Sequence, residues 1–202
     1  MDKHTRRLWR SARTVDDLAR LMAGWLDGDL PYSPNYEEDG EYDPETAPLA
    51  PHLAAYNRGG FLTTDSQPAC EEPGFDHLIW RQRAAVSGFI ADVDLVKRVT
   101  TTARRAGLLV IAHGPRGALD IAGEDGIYVT IRDVVPCTRF GEPINRSYLR
   151  RVFHGCHRDA IRAVHDAWQV TVIDPEWARK YLLWQTLDSA LPALALAKET
   201  AR

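Results

Sequence analysis

Five consecutive polar residues, Thr63-Thr64-Asp65-Ser66-Gln67, follow the apolar pair Phe61-Leu62 and precede Pro68. They bring hydroxyls, a carboxylate and a carboxamide to one short stretch. Such groups hydrogen-bond an amino-acid moiety or a ribose without catalysing anything. Phe61 to Thr64 reads as a short strand that the proline terminates, with a sharp turn after residue 64. In α/β sheets ligands often sit just outside such strand ends. A strand-terminating turn that satisfies its own amides explains the same residues, and on the residues alone both readings stand open.

Other groups with chemical capacity are less organised. His154, Cys156 and His157 lie close together, with His165 beyond them. Imidazole and thiolate bind zinc, but a fourth ligand at suitable spacing is missing, so no metal is assigned. A cysteine–histidine nucleophile there has no stronger support. Ser87, in Val86-Ser87-Gly88, lacks the flanking glycine of a nucleophile elbow. His113-Gly114-Pro115-Arg116-Gly117 follows an apolar run and forms either an anion-binding turn or an ordinary strand exit. Neither the glycine-rich dinucleotide fingerprint nor a P-loop occurs.

The elements that must position these groups are legible from periodicity. Thr14 and Asp17 form a capping box before Leu18, Leu21, Met22, Trp25 and Leu26 at helical spacing. Residues 29–44 are acidic and aperiodic, a surface loop whose spacing matches no metal-binding pattern. A second helix starts at Thr46, carries Leu49, Leu53 and Tyr56, and stops at Gly59-Gly60. The stretch 78–90 opens as a strand, and Asp92 caps a third helix that runs to Gly107. Leu108 to Ala112 is fully apolar, the pattern of a central strand. Hairpins fit 113–145, one helix covers 147–165, 168–173 alternates as a half-buried strand, and Asp174 caps a last helix through Trp177, Tyr181, Trp184 and Leu187. The fold class expected is therefore α/β (mixed α+β): a mixed central sheet with helices packed on it, in a single domain over 1–202, with a tail at 190–202.

Composition sets the outer limits. The 202 residues fit one domain, and 45% hydrophobic with 26% charged residues is ordinary for a globular chain, which argues against disorder. A net charge of −3 gives no general attraction to nucleic acid or an anionic membrane. No apolar run reaches the roughly 18–20 residues of a membrane span, and the first residues lack a secretory h-region. Three scattered cysteines, Cys70, Cys137 and Cys156, make a poor disulfide framework and suit a cytoplasmic location.

The run from Asn57 to Pro68, Asn-Arg-Gly-Gly-Phe-Leu-Thr-Thr-Asp-Ser-Gln-Pro, resembles a stretch of eukaryotic methylenetetrahydrofolate reductase that reads Asn-Arg-x-Gly-x-Leu-Thr-x-Asn-Ser-Gln-Pro. Pro44-Glu45-Thr46 with the helix to Tyr56, Gln82-Arg83-Ala84-Ala85-Val86, Val164-His165-Asp166-Ala167-Trp168 and Leu183-Trp184-Gln185 follow in the same order. The similarity is weakest between Gly114 and Ile161. It implies the S-adenosylmethionine-binding regulatory domain of that family, standing without the catalytic barrel, and hence no reductase activity. The implied ligand is S-adenosylmethionine or S-adenosylhomocysteine, with no prosthetic group. Glu45 and Thr46 would contact its amino-acid or ribose end, and Thr63 and Ser66 its polar groups, with Gln67 beside them. Thr130 would add a further hydroxyl. Asp65 stands where the family has asparagine, and its charge suits a sulfonium or ammonium group or else excludes the usual ligand. The family's Gly-Trp-Gly loop is replaced by Ala69-Cys70-Glu71-Glu72-Pro73-Gly74.

Three functions follow as expectations. The first is a binding module for an adenosine-type ligand that acts on a partner enzyme or as a homodimer. The second is an enzyme cleaving an adenosyl or nucleotide substrate, as in a small bacterial or phage protein, with Glu45, Asp65 or a histidine as acid or base. The third is an interaction domain docking through the acidic loop from Glu37 to Asp43.

Overall fold

The computed structural model describes residues 3–34, 42–74, 77–115 and 126–191. Residues 35–41 of the acidic loop, and all but the first two residues of the tail, lie outside them. The chain opens with a basic helix α1 (Lys3–Ser11), then α2 (Val15–Leu26), with the Thr14–Asp17 capping box formed as expected. A single 3-10 turn (Ala47–Leu49) leads into α3 (Ala50–Arg58), which buries Leu53 and Tyr56. The strands and helices that follow are β1 (Phe61–Gln67), β2 (Cys70–Pro73), β3 (Ile79–Gln82), β4 (Ala85–Ile90) and α4 (Val93–Arg105), the last capped by Asp92. Then come β5 (Leu109–His113), β6 (Ile127–Arg132), β7 (Val135–Phe140), α5 (Arg146–Val152), α6 (Arg158–His165), β8 (Trp168–Ile173) and α7 (Leu182–Ala190).

The result is a mixed α/β single domain whose strands form two four-stranded sheets, ordered β1-β4-β8-β5 and β2-β3-β6-β7. Every neighbouring pair described is antiparallel. Four differences from the sequence reading have physical causes. The apolar run Leu108–Ala112, expected as a central strand, instead supplies β5 at the edge of its sheet. The central places go to β4, buried at all six positions, and β8. The helix expected over 147–165 is two helices, because the chain leaves helical geometry at Phe153 and His157 Nδ1 then accepts the Asp159 N–H to cap α6. The last helix starts at Leu182 rather than after Asp174, since Asp174 is buried and gives its carboxylate to Arg179 and to the Glu176 N–H. Finally, β1 does not turn after Thr64. It continues to Gln67 through a β-bulge between Thr63 and Asp65.

That bulge depends on Gly88. A Cβ there would collide with the Leu62 carbonyl oxygen and lie 2.8 Å from Thr63 Cα, so only glycine lets β1 approach β4 this closely. Side chains alternate along a strand, and an inserted residue reverses the alternation. Thr63, opposite Gly88, therefore faces the helices α2 and α3, and so does Ser66, opposite Val86. Asp65, opposite Ser87, and Gln67, opposite Ala85, face the other way. The helix-covered side holds Phe61, Val86, Ile90, Val170 and Val172, all completely or almost completely buried.

The second side of this sheet reads as three rows across the strands. Ala85 and Ile173 form an apolar row that packs against Val129 of the other sheet. Asp65, Ser87 and Thr171 form a polar row. Phe89, Gln169 and His113 form the third. No helix among the described residues is long and apolar enough to cross a membrane.

Candidate functional site

Over the polar row lies a cavity of about 340 Å³, walled by the segment from Thr138 to Asn145 and by Tyr148 of α5. Its floor is built by register. Because Asp65 pairs with Ser87 and Ser87 with Thr171, three polar side chains stand side by side on β1, β4 and β8. The Ser87 and Thr171 hydroxyls are 2.7 Å apart and buried. Ser87 lines the cavity and has further hydrogen-bonding capacity to offer a ligand, while Thr171 lies buried beside it.

The wall is held by the third row. Gln169 Nε2 donates to the Glu142 carbonyl at 2.7 Å, and Gln169 Oε1 accepts the Ile144 N–H at 2.8 Å, gripping the chain on both sides of Pro143. His113 Nε2 lies 2.7 Å from the Gly141 carbonyl oxygen. Gly141 has φ +90°, and a Cβ on it would collide with Ile111 Cδ1, so the segment can lie this low only with glycine at that point. Arg139, on the rim, is paired with Glu142 at 2.9 Å and stacks 4.4 Å from the Tyr128 ring centroid.

Asp65 is the charged group of the floor. It is an exposed residue that lines the cavity. Partial loss of water beside the cavity wall raises its pKa above the usual carboxylate range, and a hydrogen bond from Thr64 opposes the rise. Among the described residues Asp65 is in no ion pair.

The other residues named from the sequence are distributed differently. Thr63 is buried and accepts from Asn57 Nδ2 at 2.6 Å on the helix side. Ser66 shares that side. Gln67 and Thr130 come together, but in a structural node. Thr130 Oγ1 donates to Gln67 Oε1 at 3.0 Å, while Gln67 Nε2 donates to the carbonyls of Arg83 and Val129, each at 2.9 Å. This node ties the two sheets. Thr46 is buried, its carbonyl closing the turn into α3. Glu45 lies in a second, more open cleft of about 540 Å³ with Glu72, Trp80 and Gln82, and accepts from Gln82 Nε2 at 3.4 Å. Asp65 is thus the one residue of the expected set that lines the cavity over the first sheet.

Sequence reasoning missed Ser87 as a floor residue, and also Thr171, Gln169 and Tyr148. A signal was present. A hydroxyl in the middle of the otherwise apolar run Ala85–Ile90, and Gln169 and Thr171 within the buried-strand pattern of Trp168–Ile173, need buried partners. The histidine–cysteine group is dispersed. His154 Nε2 sits 3.4 Å from the Tyr32 hydroxyl, His157 caps a helix, and burial pushes the Cys156 thiol up to about 12, which keeps it protonated.

The family model for a domain of unknown function, DUF6919, matches residues 4–194. No curated protein matches the chain.

Proposed function

The chain belongs to the DUF6919 family, and from its own geometry we propose that it is a binding module for a small ligand of adenosine type, S-adenosylmethionine or S-adenosylhomocysteine being the leading candidates. One observation carries the reading: the Asp65 carboxylate, in no ion pair among the described residues, stands beside the Ser87 hydroxyl in a cavity of about 340 Å³. The volume falls at the small end of the roughly 300–1,000 Å³ typical of small-molecule sites. A ligand cation or N–H group would pair with the Asp65 carboxylate in a charge-assisted hydrogen bond or ion pair. The Ser87 hydroxyl would take a ribose or amino-acid group, and the Phe140 and Tyr148 rings would cover apolar surface.

The resemblance to the methylenetetrahydrofolate reductase regulatory domain supports the same ligand class, with Asp65 rather than Thr63 or Ser66 as the principal contact. Glu45 would then serve a second cleft. The module would act in the cytoplasm on another chain, a partner enzyme or a second copy. Isothermal titration of the full chain with both ligands, together with mass spectrometry of what co-purifies, tests the reading. Binding in the micromolar range is expected, and no heat from either ligand at high micromolar concentration would remove it.

A second reading has one observation in its favour. A carboxyl with a raised pKa beside a hydroxyl pair is also the makeup of a general acid or base, so the bound ligand would be turned over. Product analysis after prolonged incubation separates the two: an intact ligand that binds supports the module.

A further inference from the structure

The net charge of −3 averages over an uneven distribution. Three helices turn an apolar side into the core and a basic side outward. On α1, Thr5 and Trp9 are buried, while Lys3, Arg6, Arg7 and Arg10 are exposed. On α5, Leu149 is buried, while Arg146, Arg150 and Arg151 are exposed. On α6, Ala160 and Val164 are buried, and Arg158 and Arg162 are exposed one turn apart. The one acid on these three helices is Asp159. Of their basic side chains only Arg158 is in an ion pair among the described residues, with Asp159 at 3.9 Å. The helices are neighbours: α1 and α6 both pack on α2, and α5 packs on α6. Tyr32 joins them at one corner. Its carbonyl accepts from Trp9 Nε1 at 3.0 Å, and its hydroxyl lies 3.4 Å from His154 Nε2, between α5 and α6.

We infer that this basic face binds the phosphate backbone of a nucleic acid, independently of the cavity beside Asp65. Guanidinium groups gathered on one face repel one another. A row of phosphates removes that repulsion, and each phosphate can accept two parallel hydrogen bonds from one guanidinium. Arg6 and Arg10, like Arg158 and Arg162, are four residues apart, which places their Cβ atoms roughly 5–6 Å from each other and lets both reach neighbouring phosphates of one strand. What the face lacks separates this partner from two others of the same charge. A helix lying on a membrane buries an apolar outer side in the lipid, and here the apolar sides are in the protein core. A protein interface is organised around apolar and aromatic anchors. Of the large apolar side chains on the three helices only Tyr148 is exposed, and the Arg151 guanidinium stacks 4.9 Å from its ring centroid. Contacts to a nucleic-acid backbone need no such anchors, since charge and hydrogen bonds to phosphate supply the affinity.

The test is fluorescence anisotropy of the full chain with a labelled single strand of mixed sequence, beside direct binding to polyglutamate and to phosphatidylserine vesicles. The strand is expected to bind at about 50 mM salt and to weaken about fifty-fold by about 200 mM, as roughly four phosphate contacts would give. Arg6→Glu with Arg10→Glu, and Arg158→Glu with Arg162→Glu, should each lower affinity about ten-fold or more and flatten the salt dependence. Lys97→Glu with Arg105→Glu makes the same change of charge on α4 and should alter affinity less than about two-fold. Glutamine replaces glutamate in any pair that lowers the melting temperature. An equal loss in the α4 pair would mean that overall charge holds the strand, and the face would be overturned. Tighter binding of polyglutamate or of the vesicles would replace the nucleic acid with an acidic protein or a membrane. No binding of the strand at the lower salt would overturn the proposal and leave the reading of the cavity as it stands.

Discussion

Asn57 and Thr63 are locked together where α3 passes into β1: Asn57 Nδ2 donates to Thr63 Oγ1 at 2.6 Å, and Asn57 Oδ1 accepts the Thr63 backbone N–H at 3.2 Å. Nδ2 also donates to the Leu53 carbonyl at 2.8 Å, so the buried amide is fully used. Asn57→Ala should cost about 1–3 kcal/mol, because it leaves buried groups without partners. Urea denaturation measures it. Thr63→Val should also destabilise the fold yet leave ligand affinity at the Asp65 cavity unchanged. A large loss of affinity in that variant would return Thr63 to the list of ligand contacts.

Gly88→Ala probes the approach of β1 to β4. The added methyl would meet backbone, which yields less readily than the end of a flexible side chain. A loss of about 2–3 kcal/mol or more is expected, visible as a lowered melting temperature. A variant with unaltered melting would mean that the bulge at Thr64 relaxes freely, and the placement of Asp65 would then not depend on Gly88.

The two aspartates Asp65 and Asp17 should respond to pH in opposite senses. Partial desolvation at the cavity wall raises the Asp65 pKa above the ordinary 3.8, so its contribution to stability is fully present below 3.8 and is lost as pH rises through the higher folded-state value. Asp65→Asn should therefore stabilise the protein at neutral pH, with the gain shrinking to nothing below that value. Asp17 is held below 3.8, first by the Arg13 backbone N–H, so its contribution is present above 3.8 and is lost as pH falls through the lower folded value. Denaturation curves of Asp65→Asn and Asp17→Asn across pH 3–7 (a range of roughly this width spans both carboxylate windows) compare the two. A cationic ligand favours the Asp65 carboxylate, so its affinity should climb with pH through the same window and be flat in Asp65→Asn.

Gln169 makes two hydrogen bonds to the cavity wall, and both disappear in Gln169→Ala. The predicted outcome is a loss of about 1–3 kcal/mol of stability with a weakened ligand affinity, since the segment through Pro143 is no longer gripped. Gln169→Glu keeps the acceptor for the Ile144 N–H but sets a carboxylate against the Glu142 carbonyl. It should therefore be no better than alanine. Titration calorimetry and thermal melts on both variants check this, and an alanine variant with full affinity would show that the wall stands without the clamp.

The local elements were legible because their causes are local. The Thr14–Asp17 box, the Asp92 cap, the spacing of Leu49, Leu53 and Tyr56, and the run Trp168–Ile173 each act within a few residues. The mixed α/β class followed from their alternation. Asp65 could be singled out as a charge in a polar strand end, but its surroundings could not.

Those surroundings were decided by contacts between residues far apart in the chain. Whether Asp65 faces the helices or the cavity turns on a one-residue bulge, and that bulge exists because Gly88, on another strand, lacks a Cβ. The same inserted residue put Thr63 and Ser66 on the opposite face from Asp65, dividing a cluster that looked continuous in the sequence. Gln67 and Thr130 met only because the two sheets adjoin there, and Gln169 reached Glu142 and Ile144 only because the segment between β7 and α5 crosses above β8. Period-two alternation tells which residues share a face, but a single inserted residue reverses the assignment, and its signal lies in the partner strand.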